Sequence, residues 1–257
     1  MKLQREGGAV ARHAADGGAA SIHAETSPRS RVATAASAPR VVKRSAAQLP
    51  RFVKPLVWLG ALLPATILLV RFFLDDLGAN PIETVTNWTG YTTLSLLTTA
   101  LAVSPIRRLT GFNPLIKLRR LIGLFAFFYA CLHFLTYIVL DQFFAFEYII
   151  EDIVERPYIT VGFTAFVLLI PLAITSTTGW IRRLGKRWTQ LHRLLYVIVP
   201  LGVLHFYWKV ISKAFQIDVL VFFILVGLLL VLRLPAFRRS VTNRVRPRAG
   251  VVERRPG

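Results

Sequence analysis

Three histidines, His133, His192 and His205, lie within or at the ends of long apolar runs. An ionisable side chain inside hydrocarbon is costly, and where one occurs it tends to pair, ligate or line a pathway. The plain alternative is an interhelical hydrogen bond. Imidazole is also the commonest metal ligand, through whichever ring nitrogen carries no proton. Two neutral imidazoles at the same depth on two helices would fill both axial positions of a haem iron. Iron held that way has no open position and transfers electrons rather than binding substrate.

Whether the histidines share a depth depends on the helices that carry them. Six apolar spans are expected, near Pro55–Phe73, Gly90–Ile106, Leu121–Leu140, Tyr158–Ser176, Leu194–Val210 and Ile217–Leu234. Each runs to about 17–20 residues, the length that crosses a hydrocarbon core of about 30 Å. The second is short and rich in Thr. Span three enters the membrane near Arg119, and His133 comes 14 residues later, about 21 Å at 1.5 Å per residue. Span five enters near Gln190, and His205 comes 15 residues later, about 22 Å in. His133 and His205 therefore form the expected axial pair. His192 lies about 20 Å below His205, roughly 140° away around a straight helix. Pro200 between them can kink or re-phase that helix. The residue of span three at the depth of His192 is Arg119. A second, inner haem would need an unusual partner there. His192 is otherwise a contact for a quinone or flavin, or an interface residue.

Charge gives the orientation. Arg107, Arg108, Lys117, Arg119 and Arg120 lie between spans two and three. Arg182, Arg183, Lys186, Arg187 and Arg193 lie between four and five, and Arg238, Arg239, Arg244, Arg246 and Arg248 follow span six. The alternate loops carry Asp75, Asp76 and Glu83, then Asp141, Glu147, Glu151, Asp152 and Glu155. The basic side is cytoplasmic by the positive-inside rule, so both termini face in. Trp88 and Trp208 fall at the outer interface, and Trp180 and Trp188 at the inner one, as anchoring belts do. Asn87-Trp88-Thr89 matches a glycosylation sequon but sits against the second span.

Composition agrees. The 257 residues are 54% hydrophobic and 18% charged, with a mean hydropathy of +0.53, against about 25% charge in soluble domains. The net charge of +19 does not indicate nucleic acid, because the cations flank apolar runs instead of gathering on one face with interleaved aromatics. A single cysteine, Cys131, rules out an intrachain disulfide and paired-cysteine zinc sites. Residues 1–50 are rich in Ala, Arg, Ser and Gly, carry His13 and His23, and read as a disordered extension without a signal-peptide core. The basic tail at 236–257 is placed to meet anionic lipid. The expected fold is an all-α integral membrane protein, a six-helix transmembrane bundle spanning 51–235.

Several strings carry a family resemblance. They are Thr89-Gly90-Tyr91, Pro105-Ile106-Arg107-Arg108-Leu109-Thr110-Gly111, Leu118-Arg119-Arg120-Leu121-Ile122-Gly123-Leu124, Tyr129-Ala130-Cys131-Leu132-His133, Thr175-Ser176, Trp188-Thr189-Gln190-Leu191-His192-Arg193-Leu194 with Tyr196, and His205-Phe206-Tyr207-Trp208. Over about residues 51–235 the chain resembles the MsrQ (YedZ) family, haem-binding membrane subunits of a periplasmic methionine sulfoxide reductase system with a ferric-reductase-like transmembrane domain. The spacing of His133, His192 and His205 is similar to that family's three histidines. The resemblance implies b-type haem, one or two, and FMN. It also implies electrons taken from the quinone pool or a flavin reductase. These would pass to a periplasmic molybdenum-containing partner, MsrP, which repairs oxidised proteins, in a heterodimer at the bacterial cell inner membrane. NADPH oxidases and eukaryotic ferric reductases share the domain but carry two histidines on each of two helices and a cytoplasmic nucleotide-binding domain. No nucleotide fingerprint occurs in this sequence, so a separate electron donor and acceptor are expected, and the chain reads as a non-catalytic electron-transfer subunit. The rivals are a transporter and a scaffold or assembly protein without haem. No inverted repeat or midplane carboxylate supports the transporter. The Arg107–Arg120 cluster reads either as topology or as a hold for propionates or a flavin phosphate.

Overall fold

The computed structural model describes residues 49–211 and 217–233, and every regular element among them is helical. All but the last two residues of the 1–50 extension, and the whole 236–257 tail, lie outside the described residues. Helix α1 is Val53–Phe73, α2 Pro81–Thr110, α3 Ile116–Leu135, α4 Phe146–Glu155, α5 Pro157–Ile174, α6 Thr178–Leu184, α7 Lys186–Leu191, α8 Leu195–Ile211 and α9 Ile217–Val231.

Four stretches are long and apolar enough to cross a membrane: Val53–Phe73, Asn113–Asp141, Pro157–Ile174 and Lys186–Ile211. Helix α9 is as apolar but has 15 residues. Helix α1 buries only Ala61, while Leu56, Leu59, Leu63 and Phe72 on it are exposed. A helix apolar all round and exposed on most sides needs lipid for a solvent.

Helix α2 has 30 residues, much longer than the Gly90–Ile106 span read from hydropathy. Its threonines lower the mean hydropathy, yet they suit a membrane helix. Thr86, Thr89, Thr92, Thr93 and Thr99 each donate the hydroxyl to the carbonyl one turn back, so these five hydroxyls present no unbonded hydrogen to hydrocarbon. Asn80 caps the helix by accepting from the Glu83 amide at 3.1 Å, Pro81 starts it, and Gly111 ends it at φ 69°.

The bundle is built from two helix pairs. The most extensive packing joins α2 to α3 and α5 to α8, and α2 also meets α8. Leu94, Leu97 and Leu101 of α2, Ala126 and Ala130 of α3, Ala165 and Leu169 of α5, and Ile198, Val199 and Val203 of α8 form the shared core, with Phe222 and Val226 of α9 against it. Tyr129 is fully buried and joins α1 to α3. Its hydroxyl donates to the Ala61 carbonyl at 2.7 Å and accepts from the Ala65 amide at 2.9 Å. The phenol thus sits inside one turn of the α1 ladder, next to Pro64, which lacks an amide hydrogen of its own.

The acidic stretch between spans three and four is not a plain loop. The chain leaves α3 through a wide π-helical turn at Thr136–Asp141 and then forms α4. Asp152 of α4 is buried, accepting from Tyr137 Oη at 3.0 Å and Gln142 Nε2 at 2.9 Å, and pairing with Arg156 at 3.1 Å. This fixes the entry to α5, which starts at Pro157.

Candidate functional site

His133 on α3 and His205 on α8 face each other with ring centroids 6.1 Å apart and planes at 81°. Each ring is held by a carbonyl of the neighbouring helix. His133 Nδ1 lies 3.0 Å from the Thr86 oxygen, and His205 Nδ1 lies 2.7 Å from the Tyr158 oxygen. A carbonyl can only accept, so both contacts place the proton on Nδ1 and leave Nε2 with its lone pair free. That is the tautomer a metal-binding histidine needs, oriented by the kind of backbone contact that orients ligating imidazoles.

The two half-sites repeat. Thr86 precedes His133 by 47 residues, and Tyr158 precedes His205 by 47. The glycine one turn after each carbonyl makes room for the ring. A β-carbon on Gly90 would lie 3.0 Å from His133 Cε1, and one on Gly162 would lie 2.5 Å from His205 Nδ1. The offset is 72 positions throughout (205 minus 133, 162 minus 90, 158 minus 86). It also aligns Gly90-Tyr91-Thr92 with Gly162-Phe163-Thr164 and Leu132-His133-Phe134 with Leu204-His205-Phe206. Thr86 and Gly162 were not singled out from sequence, and Gly90 and Tyr158 entered only as a member of a family string and as span boundaries, with no part in the site. The 72-residue repeat was the signal that would have found them.

The histidines line a cavity of about 700 Å³, within the usual range for cofactor pockets. Its inner wall is apolar, with Leu97, Leu169 and Ile198, and Phe134 stacked on Phe166 at 4.6 Å. Its other end is polar, with Glu83, Asn87, Asp141, Arg156 and Lys209. A hydrogen bond to Tyr158 and the nearby Asp152 carboxylate raise the pKa of Arg156 further, so it stays cationic.

The residues fit a haem. Imidazoles on opposite sides of one metal ion, at about 2 Å each, put their centroids about 6 Å apart, close to the spacing observed. Among the described residues no three His, Cys, Asp or Glu side chains converge as a metal site. His133 and His205 would hold the iron of a haem, whose own macrocycle would bring the remaining ligands. The cavity offers it apolar walls and a polar mouth that carries both cations and carboxylates.

His192 is not part of this pair. It lies in a tight turn at the N-terminal end of α8, stacked on Trp188 at 3.9 Å, with Nδ1 at 3.0 Å from the Trp188 oxygen and Nε2 at 3.5 Å from Ser176 Oγ. The break between α7 and α8 also replaces the straight helix on which its angle to His205 was reckoned. Trp188, read as an anchor, packs on His192 and donates its indole hydrogen to the Thr175 carbonyl at 2.9 Å.

Known proteins share this frame. A family model described as "Ferric reductase like transmembrane component" matches residues 61–203. A protein of Herminiimonas arsenicoxydans is 52% identical over 182 residues, covering 70% of this chain and 84% of its own length. One of Rhodospirillum rubrum is 52% identical over 192 residues, covering 74% and 87%. One of Ralstonia nicotianae is 50% identical over 184 residues, covering 71% and 85%. All three are named "Protein-methionine-sulfoxide reductase heme-binding subunit MsrQ". Identity of this extent, together with the family match over residues 61–203, shows that the chain belongs to the MsrQ family of ferric-reductase-like transmembrane proteins.

Proposed function

We propose that the chain is a haem b electron-transfer subunit, with His133 and His205 as axial ligands and His192 outside the ligand set. The observation that carries the reading is the opposed imidazole pair, each with Nδ1 engaged and Nε2 free. When bound, the haem supplies a one-electron carrier. The protein's part is to hold the rings at fixed spacing through Thr86 and Tyr158, to surround the site with apolar side chains that exclude water, and to offer Arg156 and Lys209 to carboxylates at the mouth.

The topology we propose has six spans, with α2 and α9 crossing beside the four more apolar stretches, and both termini in the cytoplasm. The alternation of basic and acidic loops supports it. The layout is a 1–50 extension, a haem domain at 51–235 and a basic tail at 236–257. By likeness to its relatives, the chain sits in the bacterial inner membrane and serves a methionine sulfoxide reductase. In this reading, electrons come from the quinone pool or a flavin reductase, with FMN in the chain. They leave to a periplasmic molybdenum-dependent partner of the MsrP type, joined as a heterodimer, that repairs oxidised proteins. Catalysis on the sulfoxide belongs to that partner.

The test is the absorbance of detergent-purified protein before and after dithionite. A sharp b-type α-band, absent from both His133→Ala and His205→Ala, is the expected result. Wild-type protein that stays colourless after haem reconstitution would overturn the reading.

A further inference from the structure

The inner end of the bundle carries a second grouping that the histidine pair does not use. Arg233, just past α9, donates to the Leu101 carbonyl on α2 and to Tyr196 Oη on α8, and its Cζ lies 4.6 Å above the Tyr196 ring. Arg108, from the last turn of α2, and Arg119, from the first turn of α3, stand within electrostatic range of it. Arg119 is also within range of His192, and its Nη1 lies 3.5 Å from Ser104 Oγ.

Orientation alone accounts for cations that reach water, such as the exposed Arg182 and Arg183. It does not account for three guanidiniums gathered between helices, one of them under an aromatic ring. Like charges repel more strongly as the dielectric falls, and a partly buried charge left without a counter-charge destabilises the fold. The ion pairs among the described residues, Arg71–Asp76 and Arg156–Asp152, do not involve this group. Two of its nitrogens, Arg108 Nη1 and Arg233 Nε, are buried and have no hydrogen-bond partner. These are donors for an acceptor that the described residues do not supply.

We propose that Arg108, Arg119 and Arg233 form a binding site for a phosphate-bearing anion at the inner end of the bundle. Guanidinium forks match phosphate oxygens in pairs. Tyr196 fixes the Arg233 fork, and Ser104 holds Arg119. The phosphate belongs either to an anionic lipid headgroup or to a soluble phosphoester, since both present the same oxygens. The site stands apart from the histidine cavity; its soluble-phosphoester case rests on the flavin proposed above, and its lipid case does not.

The experiment uses the full-length protein in detergent. In one arm, dioleoylphosphatidylglycerol or dioleoylphosphatidylcholine is titrated in, and retained lipid is counted by native mass spectrometry. In the other, inorganic phosphate replaces chloride at equal ionic strength and the thermal midpoint is followed. Wild type is expected to prefer phosphatidylglycerol, or to respond to phosphate, by about tenfold in apparent affinity. Arg119→Gln and Arg233→Gln should abolish that preference, while the Arg182→Gln, Arg183→Gln double variant should keep it. Should a Gln variant fail to give monodisperse protein, Arg119→Lys and Arg233→Lys keep the charge but lose the fork, and must still weaken binding. Preference in the lipid arm alone identifies a headgroup site, and a response to phosphate identifies a soluble ligand. A wild type without preference in either arm overturns the proposal. So does equal loss in the Arg182, Arg183 control, which would mean diffuse surface charge.

Discussion

Gly162 is the space that the imidazole of His205 occupies: a β-carbon there would lie 2.5 Å from Nδ1. Overpacking of this kind costs about 1–3 kcal/mol, and here the strain falls on the ring that must stay in place. Gly162→Ala should lower retained haem by roughly tenfold, the equivalent of about 1.4 kcal/mol. Gly90→Ala should lower it less, because its β-carbon would meet the edge of His133 at 3.0 Å. Haem per protein, from the pyridine haemochrome, checks both. Unchanged haem content in the pair would separate these glycines from the site.

The three histidines should divide cleanly. Alanine at 133 or 205 removes a proposed haem ligand and should abolish the α-band. Alanine at 192 should leave it in place, because that imidazole is spent on Trp188 and Ser176. Reduced-minus-oxidised spectra of the three variants decide this. Loss of the band in His192→Ala at normal yield would place a ligand at the inner end.

Tyr129→Phe should cost stability without touching the cavity. It leaves the Ala61 carbonyl and the Ala65 amide inside α1 without their bridging hydroxyl. Orphaned buried groups cost about 1–3 kcal/mol. The thermal midpoint in detergent should fall, with the spectrum of the folded fraction unchanged. A midpoint equal to wild type would mean that α1 closes its own ladder once the phenol is gone.

Orientation can be read by labelling. In a Cys131→Ser background, a cysteine at the exposed position 151 on α4 should react with an impermeant maleimide applied from the periplasmic side. One at the exposed position 182 should react only after the membrane is opened. The reverse pattern would invert the topology.

Hydropathy located the apolar helices because lipid selects composition over length, and α1, α5 and α8 begin and end within a few residues of the expected spans. It shortened α2, because an averaged hydropathy counts a threonine hydroxyl as polar even when the helix carbonyl one turn back has already satisfied it. Helix α4 was missed because its acids were read only as topology markers. Asp152 in fact ties the end of α3 to the start of α5. That His133 and His205 meet was legible from their depth. Their supports were not, since Gly90 and Gly162 act through the absence of a side chain, and Thr86 and Tyr158 act through backbone oxygen.

The repeated half-site has a consequence for how the protein is made. The α2–α3 hairpin carries one imidazole, with its carbonyl and its glycine, and α5–α8 carries the other set. During synthesis the first set reaches the membrane well before residue 205 has left the ribosome. Neither set alone would supply both of the proposed haem ligands. On the proposed ligation, haem capture would therefore wait until α5 and α8 have inserted and docked, so a nascent chain truncated before α8 should leave the ribosome without colour.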